Sequence, residues 1–265
     1  MIRYVGPNFM LQRAVRSPTF CLLGAPSGAG ELRDNLMVSG VLIDFDGTIT
    51  LEDTTDLILE RFADPLWRQV EEAWTAGSIG SRECLSRQID LVRASQADLE
   101  QLADEVAIDP GFCDFVAAGK ELGLRMTVGS DGFDPIISRV LARVGVNLPV
   151  VSNRLVKSEG DRWRAEFPHF LDQCQSQSGN CKCALFGSAG SQLILIGDGR
   201  SDFCPAAQAT LVLAKKSLAA YCRTSAIDHI EIEGFVDATR ALRAFCKARG
   251  RKVTSAADET GAVHA

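Results

Sequence analysis

Residues 41–48, Val-Leu-Ile-Asp-Phe-Asp-Gly-Thr, decide the fold class of this chain. Their three leading apolar residues form a continuous run with two β-branched side chains, which is typical of a strand buried on both faces of a parallel sheet. The run leads directly into two carboxylates, Asp44 and Asp46. Parallel sheets bind their ligands at the carboxyl ends of their strands, so we expect a functional site here.

Buried-strand patterns return further along the chain and alternate with helical patterns. The predicted strands cover residues 122–128, 148–151, 193–196 and 211–214, and the predicted helical segments cover residues 135–144, 184–189, 218–223 and 235–247. This alternation predicts an α/β fold, with a Rossmann-like parallel sheet as its core and helices on both faces of the sheet.

A long helical block interrupts the alternation directly after the first strand. Between residues 53 and 120 no strand pattern occurs, and apolar residues recur at helical spacing, for example from Leu57 to Val70. We therefore predict a helical domain at 53–120, inserted into a core that consists of residues 37–52 and 121–249.

The two ends of the chain lack a sustained apolar period. Residues 1–36 mix Gly, Pro, Ser and Arg, and residues 250–265 are mostly small and polar, so we predict a disordered leader and a disordered tail. The run at residues 24–30 is similar to a phosphate-binding loop, but Glu31 and Leu32 stand where that loop has Lys and Ser or Thr. We interpret this run as part of the leader.

The composition of the 265 residues excludes several classes of protein. Hydrophobic residues make up 46% and charged residues 23%, which is the balance of a chain with a normal core. The net charge of −6 argues against a protein that coats nucleic acid, because coating needs a basic face. No apolar run approaches the ~20 residues of a membrane span. Nine cysteines without a clean signal peptide favour reduced thiols in the cytoplasm.

Polar residues also follow two other predicted strands. Ser130 and Asp131 come after the strand at 122–128, and Asp198 and Asp202 come after the strand at 193–196. Their carboxylates are the hard oxygen ligands that Mg²⁺ prefers. Because acids gathered at one sheet edge repel each other, we expect a cation and a lysine, for which Lys182 is the candidate, to balance them.

Four segments together resemble the motifs of the haloacid dehalogenase superfamily of phosphatases. Residues 44–50, Asp-Phe-Asp-Gly-Thr-Ile-Thr, resemble its first motif, and residues 128–132, Val-Gly-Ser-Asp-Gly, resemble its second. Lys182 matches the third motif, and residues 197–202, Gly-Asp-Gly-Arg-Ser-Asp, match the fourth. The motifs occur in the order of the superfamily, within residues 38–247. The resemblance implies an enzyme, a hydrolase of phosphoric monoesters, and it identifies the inserted helices as a cap over the active site.

The resemblance also implies a mechanism for each motif residue. Asp44 would be the nucleophile that forms an aspartyl-phosphate. Asp46 would protonate the leaving alcohol and then take a proton from the hydrolytic water. The residues that would bind the phosphoryl group are Ser130, Lys182, Gly47 and Thr48.

The implied cofactor is Mg²⁺. Asp44, the main-chain carbonyl of Asp46 and Asp198 would bind it. Asp202 would act from outside the ligand shell by orienting a metal-bound water or Lys182.

Within the superfamily the chain looks like a member of the phosphoserine-phosphatase-like branch, closest to its methionine-salvage group, which acts on 2-hydroxy-3-keto-5-methylthiopentenyl-1-phosphate. One position departs from phosphoserine phosphatases, because Gln88 aligns with their cap arginine and Arg87 lies beside it. Asp53 falls on their cap glutamate position. This departure argues against phosphoserine as the substrate, with Arg82 and Arg87 as alternative partners for a substrate carboxylate.

The predicted partner is a small phosphorylated metabolite, and neither nucleic acid nor a membrane is expected. Two other functions stay open: a phosphotransferase or mutase of the same superfamily, and a non-catalytic regulator on this scaffold. The oligomeric state is open as well. The cysteines near Lys182, which are Cys174, Cys181, Cys183 and Cys204, are predicted to be packing thiols, with a metal or redox role as the alternative.

Overall fold

The computed structural model describes residues 40–174, 176–186 and 193–249. In this part of the chain a seven-stranded sheet has the order β4-β3-β2-β1-β5-β6-β7. The strands are β1 Gly40–Ile43, β2 Arg125–Phe133, β3 Val150–Lys157, β4 Trp163–Glu166, β5 Leu193–Gly197, β6 Leu211–Ala214 and β7 His229–Glu231. All neighbouring strands pair in parallel except β3 and β4, which are antiparallel.

Nine α-helices surround this sheet in the described residues. They are α1 Thr54–Phe62, α2 Trp67–Thr75, α3 Ser81–Asp90, α4 Gln96–Glu105, α5 Phe112–Glu121, α6 Asp134–Arg143, α7 Phe203–Ala206, α8 Lys216–Thr224 and α9 Phe235–Ala248. Two short 3₁₀ helices cover Lys182–Phe186 and Arg200–Asp202. None of the described helices is long and apolar enough to span a membrane. The prediction of an α/β fold with a Rossmann-like parallel sheet is confirmed.

Strand β1 lies at the centre of the sheet, between β2 and β5. Val41 and Ile43 pack into the hydrophobic cluster on one face of the sheet, and Leu42 packs into the cluster on the other face. Successive side chains of a strand point to opposite faces, so a continuous apolar run is what a strand covered on both sides requires.

Several predicted strand boundaries were wrong. The strand predicted at 122–128 runs from Arg125 to Phe133, and the strand predicted at 148–151 continues to Lys157. The polar residues 130–132 have a loop-like composition, yet they extend β2 across an irregularity in its pairing with β3 between Gly129 and Phe133. The edge strands β4 and β7 were not predicted, because charged and polar residues interrupt them and leave no continuous apolar run: β4 is Trp-Arg-Ala-Glu and β7 is His-Ile-Glu.

The helical block predicted at 53–120 contains α1 to α5. Its last helix, α5, packs against α9, which follows the sheet: the Phe112 and Phe115 rings lie 5.2 and 5.1 Å from the Phe235 ring. The exact division between cap and core therefore stays a prediction. The predicted leader at 1–36, the predicted tail at 250–265 and the end of the helix predicted at 184–189 lie outside the described residues.

Candidate active site

The carboxyl ends of β1, β2 and β5 meet at one edge of the sheet. Ile43, the last residue of β1, is in register with Val128 of β2 and with Ile196 of β5. The polar residues that follow Ile43, Val128 and Ile196 therefore lie close together. The sequence predicts this, because these residues come at the ends of three predicted strands.

Lys182 is the buried centre of this group. Its Nζ lies 2.6 Å from Asp44 Oδ1 and 2.7 Å from Asp202 Oδ1, and it donates to Ser201 Oγ at 2.9 Å. The lysine is 1% exposed, and burial by itself lowers the pKa of its ammonium. The two carboxylates outweigh burial and raise the pKa of Lys182 above its ordinary value, so the lysine stays charged.

Asp44 shares this buried environment, and its Oδ1 also accepts a hydrogen bond from the main-chain N–H of Phe45 at 2.8 Å. Burial raises the pKa of its carboxyl well above the ordinary value, and the nearby Asp202 carboxylate raises it further, while Lys182 opposes both. A positive charge placed beside Asp44 would therefore favour the ionised form that a nucleophile needs.

Asp46 is held by a different set of donors. Its Oδ1 accepts from both the main-chain N–H of Thr54, at 2.8 Å, and the Thr54 hydroxyl, at 2.6 Å. Its Oδ2 accepts from the Ser130 hydroxyl at 3.1 Å, and that hydroxyl accepts from the Gly132 N–H at 2.8 Å. Burial raises the pKa of Asp46, and the hydrogen bonds from Thr54 and Ser130 oppose the rise. A carboxyl with a raised pKa is suited to donating a proton.

Asp198 lies on the open side of the cluster. Its Oδ2 accepts from Lys216 Nζ at 2.9 Å, and its Oδ1 accepts from the Thr48 hydroxyl at 3.3 Å. Asp202 is fully buried, and its Oδ2 accepts from the main-chain N–H groups of Asp198 and Gly199 at 3.2 and 3.3 Å. Both Asp202 oxygens are therefore bound by protein donors, and its role outside the ligand shell stays a prediction.

The donor set fits a magnesium ion. Oxygens of Asp44, Asp198 and Asp202 lie within 4.8 Å of one another. Asp46 is a fourth carboxylate, and in the described part of the chain two ammonium groups, those of Lys182 and Lys216, lie within hydrogen-bonding distance of these four carboxylates. A divalent cation would balance this excess of negative charge with the oxygen ligands that Mg²⁺ prefers.

Gly47 lies against this cluster in a conformation that favours glycine, with φ of 67°. A Cβ at this position would collide with the Asp198 carboxylate and would come within 2.8 Å of Lys216 Nζ. The Gly-Thr pair predicted to bind phosphate therefore borders Asp198, and Gly47 is required there for both its backbone conformation and its small volume.

The sequence model of the haloacid dehalogenase-like hydrolases matches residues 41–207. The chain belongs to this family. The match begins in β1, before the Asp44–Asp46 pair, and ends after Asp202, so it includes all four predicted motifs. The prediction of the haloacid dehalogenase superfamily is thereby confirmed.

Relatives of this haloacid dehalogenase-like hydrolase carry names that agree with a phosphatase. A protein of Brevibacillus brevis is 30% identical over 207 residues, which are 76% of this chain and 93% of the relative. An Exiguobacterium protein is 29% identical over 213 residues, 78% of this chain and 98% of the relative. Both are named 2-hydroxy-3-keto-5-methylthiopentenyl-1-phosphate phosphatase.

Solved structures of phosphoserine phosphatases share the fold. A substrate-bound complex superimposes with a TM-score of 0.59 at 18% identity. The aligned region covers 77% of this chain and 98% of the phosphoserine phosphatase chain. An apo form superimposes with a TM-score of 0.58 at 19% identity. At this identity the likeness concerns the fold alone.

The predicted cap residues make contacts of their own, and Asp53 also lies near the cluster, since burial and then the Asp46 carboxylate raise its pKa well above the ordinary value. Asp53 caps α1 by accepting from two main-chain N–H groups, and Gln88 Nε2 donates to Glu71 Oε2 at 2.9 Å. Arg87 pairs with Glu83, and the Arg82 guanidinium lies 3.5 Å from the centre of the Phe170 ring. A role of these residues in specificity stays a prediction.

Sequence reasoning missed three residues that touch the site. Thr54 binds Asp46, Lys216 binds Asp198, and the Asn180 side chain donates to the main-chain carbonyl of Ser130 at 2.8 Å. Lys216 follows the carboxyl end of β6, so the rule that pointed to the other strand ends could have found it. Thr54 and Asn180 had no comparable signal in the sequence, apart from lying close to motif residues along the chain.

The cysteines near Lys182 are free thiols. Cys174 and Cys181 are buried, and the Sγ atoms of Cys183 and Cys204 lie 2.9 Å apart. Within the described segments, the possible metal ligands that group together are the three aspartates, and no thiol belongs to that group. The assignment of these cysteines as packing thiols stays a prediction.

Proposed function

We propose that this protein is a Mg²⁺-dependent phosphatase that hydrolyses a small phosphomonoester through an aspartyl-phosphate on Asp44. One observation carries the proposal: two carboxylates two residues apart are held by separate sets of donors. Lys182 binds Asp44, whereas Thr54 and Ser130 bind Asp46. Separate environments allow one carboxylate to act as nucleophile and the other as acid and base.

Mg²⁺ would be held by Asp44, the main-chain carbonyl of Asp46 and Asp198, and Asp202 would support Asp198 and Lys182 from behind. When bound, the ion supplies positive charge that keeps Asp44 ionised and stabilises the phosphoryl oxygens. The proximity of the three aspartate oxygens supports this assignment.

In the first step an Asp44 oxygen attacks the phosphorus atom of the ester, and the bond from phosphorus to the leaving oxygen breaks. Lys182 and the donors described above bind Oδ1, so Oδ2 is the oxygen oriented for attack. Lys182 and Ser130 then stabilise the charge that develops on the transferred phosphoryl group.

Asp46 completes both steps. Its carboxyl gives its proton to the leaving alcohol as the ester bond breaks. In the second step the carboxylate takes a proton from water, the water oxygen attacks the phosphorus of the aspartyl-phosphate, and Asp44 is released as a carboxylate. The raised pKa of Asp46 supports the first of these transfers.

The substrate we propose first is the one in the names of the two bacterial relatives, 2-hydroxy-3-keto-5-methylthiopentenyl-1-phosphate. Gln88 aligns with the cap arginine by which phosphoserine phosphatases hold the substrate carboxylate, and it binds Glu71 instead, which supports an ester without a carboxylate. We place the reaction in the cytoplasm, and the free thiols of the described cysteines support a reducing compartment.

A panel of phosphomonoesters, assayed with Mg²⁺ and after chelation with EDTA, tests this function. We expect Mg²⁺-dependent release of inorganic phosphate, with the highest kcat/KM for an uncharged leaving group. Release of phosphate that EDTA leaves unchanged would contradict the proposed cofactor. Transfer of the phosphoryl group to an added alcohol in preference to water would instead identify a phosphotransferase.

A further inference from the structure

A cavity of about 840 Å³ opens beside the loop that follows β1. Gly47 and Lys216 line it on the side of the active site, and Lys215 lines it next to them. Lys216 Nζ donates to the Gly47 carbonyl at 3.2 Å and to Asp198 at 2.9 Å. The cavity therefore borders Asp198 through Lys216, and Asp44 is not among the described residues that line it.

Lys215 is the unusual residue of this cavity. It is only 8% exposed, and its ammonium makes no hydrogen bond or ion pair with any residue in the described part of the chain. The ammonium nitrogen is nevertheless not fully enclosed by protein, since it keeps some accessible surface. Its accessible surface must therefore face the cavity that Lys215 lines.

An unpaired ammonium in this position is costly. Burial lowers the pKa of Lys215, and the neighbouring Lys216 lowers it further. Three carboxylates oppose this shift in pKa only in part, those of Asp109, Asp198 and Asp44. Charged groups are rarely buried without a partner, because the lost hydration has to be replaced by an opposite charge or by hydrogen bonds. An anion in the cavity would provide both.

The start of helix α8 adds positive potential to the same wall. Lys215 is the N-cap of this nine-residue helix, and Lys216 is its first residue. The N–H groups at a helix N-terminus carry partial positive charge and commonly bind anions. Lys216 has φ of 40°, a left-handed conformation that is rare for lysine and that clusters at functional sites.

Three acidic residues line the remaining wall: Glu233 is exposed to solvent, which screens its charge, and the other two are paired with arginines. Glu231 pairs with Arg223 at 2.6 Å, and Asp237 pairs with Arg240 at 3.1 Å. Both arginines therefore balance carboxylates that also line the cavity.

We propose that Lys215 and the N-terminus of α8 bind a small oxyanion in this cavity, separate from the phosphoryl group that Asp44 attacks. The oxyanion is a free inorganic anion, which is compatible with the ester without a carboxylate proposed above; a carboxylate on the leaving group of a substrate is the alternative that the second arm of the test separates. Both sources offer the same chemistry, which is a pair of negatively charged oxygens for an ammonium and for main-chain N–H groups.

The first arm of the test uses inorganic sulfate as the probe. Isothermal titration of the wild-type chain with sulfate is compared with Lys215→Met, which keeps the apolar stem, and with Lys157→Met, which changes the net charge equally at an exposed position. We expect Lys215→Met alone to weaken one sulfate site by at least about tenfold, the effect of about 1.4 kcal/mol. It should also raise the melting temperature in sulfate-free buffer, because it removes an unpaired buried charge.

The second arm compares O-phosphoserine with phosphoethanolamine, which differ only in a carboxylate. If the carboxylate of a substrate is the ligand, Lys215→Met lowers kcat/KM for phosphoserine but not for phosphoethanolamine. If a free anion is the ligand, both substrates keep their kcat/KM and only sulfate binding weakens.

The proposal is overturned if wild type, Lys215→Met and Lys157→Met bind sulfate equally and keep the same ratio of kcat/KM for the two esters. Should Lys215→Met fail to fold, Lys215→Gln replaces it, and Lys215→Arg should retain sulfate binding. Hydrolysis of p-nitrophenyl phosphate by the same variants tests the phosphatase function separately, since Lys215 does not contact Asp44 or Asp46.

Discussion

Asp44 and Asp46 are separated by one residue, yet two different regions of the molecule hold their side chains. Asp44 is bound by Lys182, the first residue of the 3₁₀ helix Lys182–Phe186. The same lysine also binds Asp202, and all three side chains are buried. Asp46 is bound by Ser130 of β2 and by Thr54, the first residue of the inserted helices. The proposed nucleophile is thus held by residues of the predicted core, whereas the proposed acid and base is held by residues of both the predicted core and the predicted cap.

This difference predicts two kinds of mutational effect. Changes around Asp44 disturb a network of charges without access to water, so they should affect both stability and chemistry. Changes around Asp46 act at a half-buried carboxyl that has several donors, so they should mainly affect proton transfer.

The largest expected effect is that of Asp44→Asn, which should abolish turnover. The amide has nearly the same shape but is a poor nucleophile, and it removes one charge from the predicted magnesium ligands. Steady-state release of phosphate checks this expectation, and activity within tenfold of wild type would contradict it. The melting temperature serves as the control for folding.

Lys182→Met should come next, and it should affect stability as well as activity. Removing one partner of a buried ion pair commonly costs about 3–5 kcal/mol, and here two carboxylates would lose their ammonium. Urea denaturation measures the loss of unfolding free energy. Lys120→Met, a change at an exposed lysine of α5, is the matched control and should leave stability nearly unchanged.

Asp46→Asn should slow hydrolysis by about 10²–10⁴-fold, the usual contribution of general acid–base catalysis, while the fold stays intact. The loss should be greater for alkyl phosphates than for p-nitrophenyl phosphate, because nitrophenolate leaves without a proton. Equal losses for both ester types would argue against the role as acid.

Thr54→Val should have the smallest effect, about tenfold in kcat for alkyl phosphates, since the main-chain N–H of this residue still binds Asp46. Thr54→Ser keeps the hydroxyl and should restore activity. If Thr54→Val matched wild type on alkyl phosphates, the insertion would not help to position the acid and base.

These contacts also show which parts of the fold and of the site could be predicted from the sequence and which could not. The central strands were predictable because β1, β5 and β6 are short continuous apolar runs, and the strand-end rule placed Asp44, Ser130 and Asp198 at one edge. The end of β2 was not, since Ser130 to Gly132 have the composition of a loop. The contact of Thr54 with Asp46 depends on the backbone path between Gly47 and α1, which no hydrophobic period encodes.

The most direct test of the central claim is to find the phosphoryl group on the protein during turnover. The wild-type chain is mixed with Mg²⁺ and a phosphomonoester, quenched with acid within the first turnover, digested and analysed by mass spectrometry. The account predicts one phosphoryl group on the peptide that contains Asp44, with a yield that rises in Asp46→Asn if the second step becomes slower than the first. A phosphoryl group on another residue, or rapid release of phosphate by Asp44→Asn, would contradict it.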